Sequence, residues 1–169
     1  TINICGTNLD TNAKQCRRKI GIVPQELNID PFFTPLELLE LQAGLYGVQK
    51  KDRKSEEILS NVGLLEQRNS YARTLSGGMR RRLLIAKALV HSPEVLILDE
   101  PTAGVDVELR NKLWEYIQKL NHKGTTICLT THYLEEAENL CDFITIINKG
   151  QIIKSDTKKN ILNLIGIKT

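Results

Sequence analysis

Val95-Leu96-Ile97-Leu98-Asp99-Glu100 is the stretch that decides the fold. Four consecutive apolar residues without polar alternation predict a strand buried on both faces of a parallel sheet. Ser92-Pro93 stops the helix before it, and two adjacent carboxylates close it. In open parallel sheets, ligands sit beyond the carboxyl ends of the strands. Unpaired buried charge is costly, so a buried strand that ends in two acids points to chemistry at that edge rather than to stability. Mg²⁺, a hard cation, would compensate the first carboxylate. The second could orient a water for attack.

Two further strands deliver polar groups at the same end. Ile20 to Val23 leads through Pro24 to Gln25, and Thr125 to Leu129 leads through Thr130-Thr131 to His132. Gln25, Asp99, Glu100 and His132 are therefore expected to converge. Each also has a plainer role: a turn cap for Asp99, a solvated turn for Glu100, a loop position for Gln25 and His132. His91 and His122 fall at helix ends, where surface or capping roles suffice.

Between the first two strands the pattern turns helical. Pro31-Phe32-Phe33-Thr34-Pro35 is a breaker-rich connection. Thr34, Pro35 and Glu37 then have the spacing of a capping box with proline at the first helical position. Leu36, Leu39, Ala43 and Tyr46 follow at helical spacing, and Gly47 closes the helix. Lys50 to Lys54 reads as a solvated loop and helix start, and Ile58, Leu59 and Val62 mark a second helix ending at Gly63. A third runs from about Ser76 to about His91, with Leu83, Leu84, Ala88 and Leu89 inward. Ser76 is a good N-cap. Gly77 and Gly78 beside it cost helix stability, and they make sense where backbone N–H groups must approach an anion at a helix N-terminus. Arg80, Arg81 and Arg82 are expected on a solvated basic face or paired with carboxylates.

After the central strand, Asp106 is placed to cap a helix from about Val107 to Leu120. A helix near Tyr133 to Leu140, a hairpin over Phe143 to Ile153 and a short helix at about Lys158 to Leu164 follow. Strands alternating with helices give an α/β class with a mostly parallel sheet layered with helices, interrupted by a helical subdomain. The expected division is 1–30 and 93–169 for the sheet part and 31–92 for the helical subdomain.

Composition agrees with a globular chain. Of 169 residues, 23 are Lys or Arg and 20 Asp or Glu, a net +3 that is too weak to argue for nucleic acid. No apolar run approaches the ~20 residues needed to cross a bilayer, and nothing signals secretion. Cys5, Cys16, Cys128 and Cys141 form no CxxC pair, so reduced thiols are expected rather than zinc.

Together these residues resemble a known family, the ATP-binding subunits of ABC transporters. Leu75-Ser76-Gly77-Gly78-Met79 resembles the family's signature motif, and Val95 to Glu100 resembles its Walker B strand with the catalytic glutamate. Pro101 to Asp106 resembles the D-loop, Pro24-Gln25-Glu26 the Q-loop and Thr131-His132-Tyr133 the switch histidine. The motifs stand in the family's order over residues 24 to 133. The resemblance implies a P-loop-type, RecA-like core and two ATP molecules sandwiched between two copies. It implies that Asp99 holds Mg²⁺ through water and that Glu100 polarises the attacking water. Gln25 would sense the metal and γ-phosphate, and His132 would contact the γ-phosphate. Ser76, Gly77 and Gly78 would bind the opposite copy's ATP, and Asp106 would work across the dimer interface. Implied partners are a second ATPase subunit and an integral membrane permease, with no nucleic acid. The implied place is the cytoplasmic face of the membrane.

One departure stands out. The family's Gly-x-x-x-x-Gly-Lys-Ser/Thr loop should precede the Q-loop, and no Gly-Lys pair occurs in these residues. The chain begins at Thr1, its one methionine is Met79, and residues 1 to 10 look like the strand and turn that follow that loop's helix. The expectation is a truncated gene, a split gene or an incomplete sequence. Met79 with Arg81-Arg82, Gly44-Leu45-Tyr46-Gly47, Ala103-Gly104-Val105-Asp106 and Thr130 to Ala137 together resemble the bacterial drug-, lipid- and polysaccharide-exporter branch. Two alternatives accompany the exporter reading. One is a soluble ABC ATPase acting on ribosomes or nucleic acid, and the other is a catalytically incomplete remnant or regulatory module. Only 51 positions separate Gln25 from Ser76, leaving no room for the coiled coils of DNA-repair members.

Overall fold

A computed structural model describes residues 1–166. They form two compact units, one over residues 1–130 and one from residue 131 onward.

The first unit opens with a small antiparallel ladder, β1 (Asn3–Ile4) and β2 (Thr7–Asn8), followed by α1 (Ala13–Lys19). Its sheet consists of β3 (Ile20–Val23), β4 (Val95–Asp99) and β5 (Thr126–Thr130), parallel and in the order β3-β4-β5. Val23, Leu98 and Leu129 share one register row, so the three carboxyl ends lie side by side. Side chains alternate across a strand. Val23, Leu96 and Leu98 on one face are fully buried. Ile22, Ile97 and Cys128 occupy the other face in a common register row, and there Ile22 is 59 % exposed and Ile97 half-buried. The expectation of burial on both faces is therefore corrected: β4 is buried on one face and half-covered on the other.

The helices α2 (Pro35–Leu45), α3 (Ser55–Asn61) and α4 (Gly77–Leu89) pack on one another, and α4 also packs on β3. Their shared core includes Leu39, Leu59, Leu83 and Ile85, each fully buried. Each such side chain contributes roughly 1.5–3 kcal/mol relative to exposure. The capping box at α2 forms as read: Thr34 Oγ1 accepts from the Glu37 amide at 3.3 Å, and Glu37 accepts from the Thr34 amide at 2.8 Å. Gly21 lets α4 approach β3, because a Cβ there would stand 2.5 Å from the Ala88 carbonyl oxygen. The helix α5 (Val107–His122) buries Leu113, Trp114 and Ile117.

Arg81 and Arg82 overturn an expectation. They are 6 % and 4 % exposed, not on a solvated face, and they bond carbonyls rather than acids. Arg82 donates to the carbonyls of Val62 and Gly63 at 2.7 Å, where α3 has run out of amide donors. Burial lowers the Arg82 pKa, and nearby Asp106 pulls it back up.

The second unit contains α6 (Leu134–Leu140), β6 (Phe143–Asn148), β7 (Gln151–Thr157) and α7 (Lys158–Ile165). The hairpin turns at Lys149-Gly150, both with positive φ, as the two-residue turns that match strand twist require. Ile161 and Leu162 supply its core. Among the described residues, no helix is long and apolar enough to cross a membrane.

Candidate active site

The edge of the sheet is built by strand register. Asp99 ends β4 opposite Thr130 of β5, and the Thr130 hydroxyl donates to the Asp99 carboxylate. That contact ties the carboxylate to the neighbouring strand, on the face of the sheet shared with Ile97 and Cys128. Glu100 follows with φ +47°, a left-handed conformation that costs a non-glycine residue of order 1 kcal/mol or more. The surroundings hold it there. Its amide donates to the Thr130 carbonyl at 3.0 Å, and its carbonyl accepts from Ala103 at 3.2 Å. Such strain concentrates at functional sites. Gln25, two residues beyond β3, is exposed at the same strand-end edge.

The signature residues form a second cluster. Ser76 caps α4 and accepts from the Met79 amide at 3.2 Å. Its two glycines separate by function. A Cβ on Gly78 would stand 2.8 Å from the Gly104 carbonyl oxygen, so Gly78 is the point where α4 abuts the loop after Glu100. A Cβ on Gly77 would meet nothing within 4 Å. Open space at the N-terminus of a thirteen-residue helix, with its unpaired amides, is where an anion can approach. Asp106 stands two residues past Gly104 and caps α5, accepting from the Leu109 amide at 3.0 Å.

This separation gives a stability test. Gly78→Ala should destabilise the fold by roughly 1–3 kcal/mol, through overpacking against the Gly104 backbone. Gly77→Ala should stay within about 0.5 kcal/mol of the parent. Urea melts of the two variants check this, and equal destabilisation would refute the division of roles.

His132 lies in the second unit. It is exposed, and its ring tilts against Tyr133 with centroids 4.1 Å apart. The Tyr133 amide donates to Thr131 Oγ1 at 3.0 Å, turning the chain into α6. Gln25, Asp99 and Glu100 are thus brought to one edge, Ser76 to Gly78 and Asp106 to another cluster, and His132 to its own unit.

Two contributors escaped sequence reading. Thr130 had a usable signal, being opposite Asp99 once the strands are aligned. Arg81 had none, because its partners are 57 and 56 residues away in sequence.

The donor set fits a nucleotide with a divalent cation only in part. Among the described residues, no group of three or more His, Cys, Asp or Glu could hold a metal alone. A single carboxylate suits a cation that takes its other ligands from phosphate and water.

The ABC transporter family profile matches residues 1–103. The chain is 41 % identical over 167 residues to the linearmycin resistance ATP-binding protein LnrL of Bacillus subtilis, covering 98 % of this chain and 54 % of that protein. It is 38 % identical over 165 residues to the Nod factor export ATP-binding protein I of Cupriavidus pinatubonensis, covering 96 % and 51 %. The chain therefore spans about half the length of these relatives. An ATP-binding subunit of an ABC transporter superposes with TM-score 0.84 at 28 % identity, over 99 % of this chain and 70 % of that one. A dimeric, post-hydrolysis ATP-binding cassette, MJ0796 with ADP and phosphate, superposes with TM-score 0.78 at 27 % identity, over 91 % and 71 %. With this fold, these motif positions and these relatives, the chain belongs to the ABC transporter family of ATP-binding proteins.

Proposed function

We propose that these residues are part of the ATP-hydrolysing subunit of a membrane exporter, in which ATP-driven pairing of two such subunits drives transport. The observation that carries this is the Asp99-Glu100 edge, where one carboxylate is bonded by the Thr130 hydroxyl and the next residue is held at positive φ by the sheet. The names of the relatives, a resistance and an export protein, support the exporter branch.

Bound ATP and Mg²⁺ would supply the transferable γ-phosphoryl group and the charge that neutralises it. In this reading Asp99 holds the metal through water, and Glu100 orients the attacking water and takes its proton. Gln25 reports the metal and γ-phosphate to its own loop, and His132 contacts the γ-phosphate. Ser76, Gly77 and Gly78 present the amides of α4 to the ATP of the opposite copy, and Asp106 meets that copy across the interface. Most of the barrier lowering in phosphoryl transfer is positioning and charge stabilisation, which suits these residue types. We assign residues 31–92 to a helical subdomain and 1–30 with 93–169 to the ATPase core. The partner in the membrane is a permease that holds the subunit on the cytoplasmic face.

The test is phosphate release by the intact protein with its permease in membrane vesicles. ATP-dependent release that Asp99→Asn abolishes supports the reading, and release unaffected by that change refutes it. A companion measurement uses residues 1–169 alone. They contain no Gly-Lys-Ser/Thr loop to grip the β- and γ-phosphates. Titration calorimetry should show no tight ATP binding, and micromolar affinity would refute this dependence.

A further inference from the structure

Arg81 lies in the second turn of α4, four positions after Gly77. It is 6 % exposed, a charge taken almost wholly out of water. Its two terminal nitrogens donate to two consecutive main-chain carbonyls, Nη1 to Pro24 at 2.7 Å and Nη2 to Gln25 at 2.5 Å. These are the residues through which the chain leaves β3. Taking a charge out of water costs stability unless its bonds repay it, so burial itself gives no reason to keep a guanidinium there. Geometry gives one. A planar fork meets two carbonyls at once and fixes their mutual orientation, whereas an ammonium is a point donor. Pro24 also has no amide with which to anchor itself in the ladder.

We propose that Arg81 is a positioning residue that clamps the Gln25 loop to α4, so that the placement of Gln25 follows the placement of the helix whose N-terminus is Ser76-Gly77. The proposal rests on the ATPase reading above. In that reading α4 faces the nucleotide of the opposite copy and Gln25 faces the chain's own. Arg81 then joins the two nucleotide sites through a single side chain. Displacing α4 shifts the carbonyls of Pro24 and Gln25 with it, and the Gln25 side chain moves accordingly.

The experiment compares Arg81→Lys, Gln25→Ala and the double variant in the intact protein with its permease in vesicles. Arg53→Lys serves as the control, because Arg53 is also a partly buried fork, bonding the Val48 carbonyl at 3.0 Å and Glu40 of α2 at 2.7 Å, away from the Gln25 loop. Arg81→Lys should lower kcat about tenfold or more while KM for ATP stays within about twofold. In the Gln25→Ala background the same change should alter kcat less than about twofold, since the group through which it acts is gone. Hydrogen exchange gives a second measurement that needs no turnover. The amides of Asn28 and Ile29 bond within this loop, to the carbonyls of Glu26 and Leu27. They should exchange at least about fivefold faster in Arg81→Lys and unchanged in Arg53→Lys. An undiminished loss in the Gln25→Ala background, kcat within twofold of the parent, or loss of exchange protection spread over the whole chain would each overturn the proposal. A parent without ATP turnover would instead overturn the functional reading, and unchanged exchange at residues 28 and 29 would still overturn the clamp.

Discussion

Glu100→Gln in the intact protein should lower kcat by roughly 10²-fold or more, the range that a lost general base costs, while ATP affinity stays within about twofold. The substitution keeps side-chain length and shape, and it replaces the charged, basic carboxylate with a neutral amide that cannot take a proton. The backbone contacts that hold position 100 at positive φ are main-chain bonds to Thr130 and Ala103, so they survive the change. A group acting only on the attacking water leaves ground-state binding intact, and its loss falls on kcat. With hydrolysis blocked and binding preserved, gel filtration in ATP should show a dimer that the parent loses as it turns over. Turnover within a few-fold of the parent would remove Glu100 from the role of base. Loss of ATP affinity alongside kcat would instead mark the residue as part of the binding surface.

The parallel α/β sheet is borne out, and so are several readings that needed only neighbouring residues. The capping box needs only Thr34 and Glu37, three residues apart, and it forms with both reciprocal bonds. Asp106 and Ser76 likewise cap the helices that follow them. The apolar run from Val95 lies in the sheet as expected: it is short, β-branched at Val95 and Ile97, and preceded by Ser92-Pro93, which separates a strand from a buried helical run such as Leu83 to Ala86. The helix α1 was not legible. Ala-Lys-Gln-Cys-Arg-Arg-Lys presents one buried residue, Cys16, and Asn12 makes no side-chain cap, so neither periodicity nor capping announces it. The strand β7 runs on to Thr157, beyond the hairpin segment read to Ile153. Lys154-Ser155-Asp156 is polar, and pairing with β6 extends it, including a hydrogen bond at 2.8 Å between the Ser155 and Thr145 hydroxyls.

The candidate site shows the same boundary between local and distant causes. Asp99 and Glu100 announce themselves as acids at the end of an apolar strand, and both reach the sheet edge. What ties Asp99 to the neighbouring strand is a hydroxyl 31 residues later in the chain. Three arginines in succession look solvated in sequence, yet two are buried on carbonyls contributed by other elements. The glycine pair read as one anion-binding signal. Only packing distinguishes Gly78, pressed on Gly104, from Gly77, which faces open space.

That difference makes Gly77 the position from which to ask whose nucleotide the signature helix serves. The N-terminus of α4 carries unpaired amides and roughly half a positive charge. A carboxylate at position 77 would occupy the open space and repel phosphate without disturbing the Gly104 contact. In a heterodimer of two intact copies, Gly77→Asp is placed in one copy. The phosphate-loop lysine is then mutated in either the same copy or the other. If each signature helix serves the partner's ATP, defects in opposite copies fall on one site, and the second site keeps both of its halves. Defects in the same copy disable both sites. Phosphate release should therefore persist at about half the parental rate or somewhat less with the defects apart, and fall to background with them together. If the helix serves its own copy's ATP, the order reverses, because defects in one copy then fall on one site. A photo-crosslinker at position 77 reads the same geometry without turnover: it should label a nucleotide analogue bound by the partner, and labelling of its own copy's nucleotide would refute the shared site.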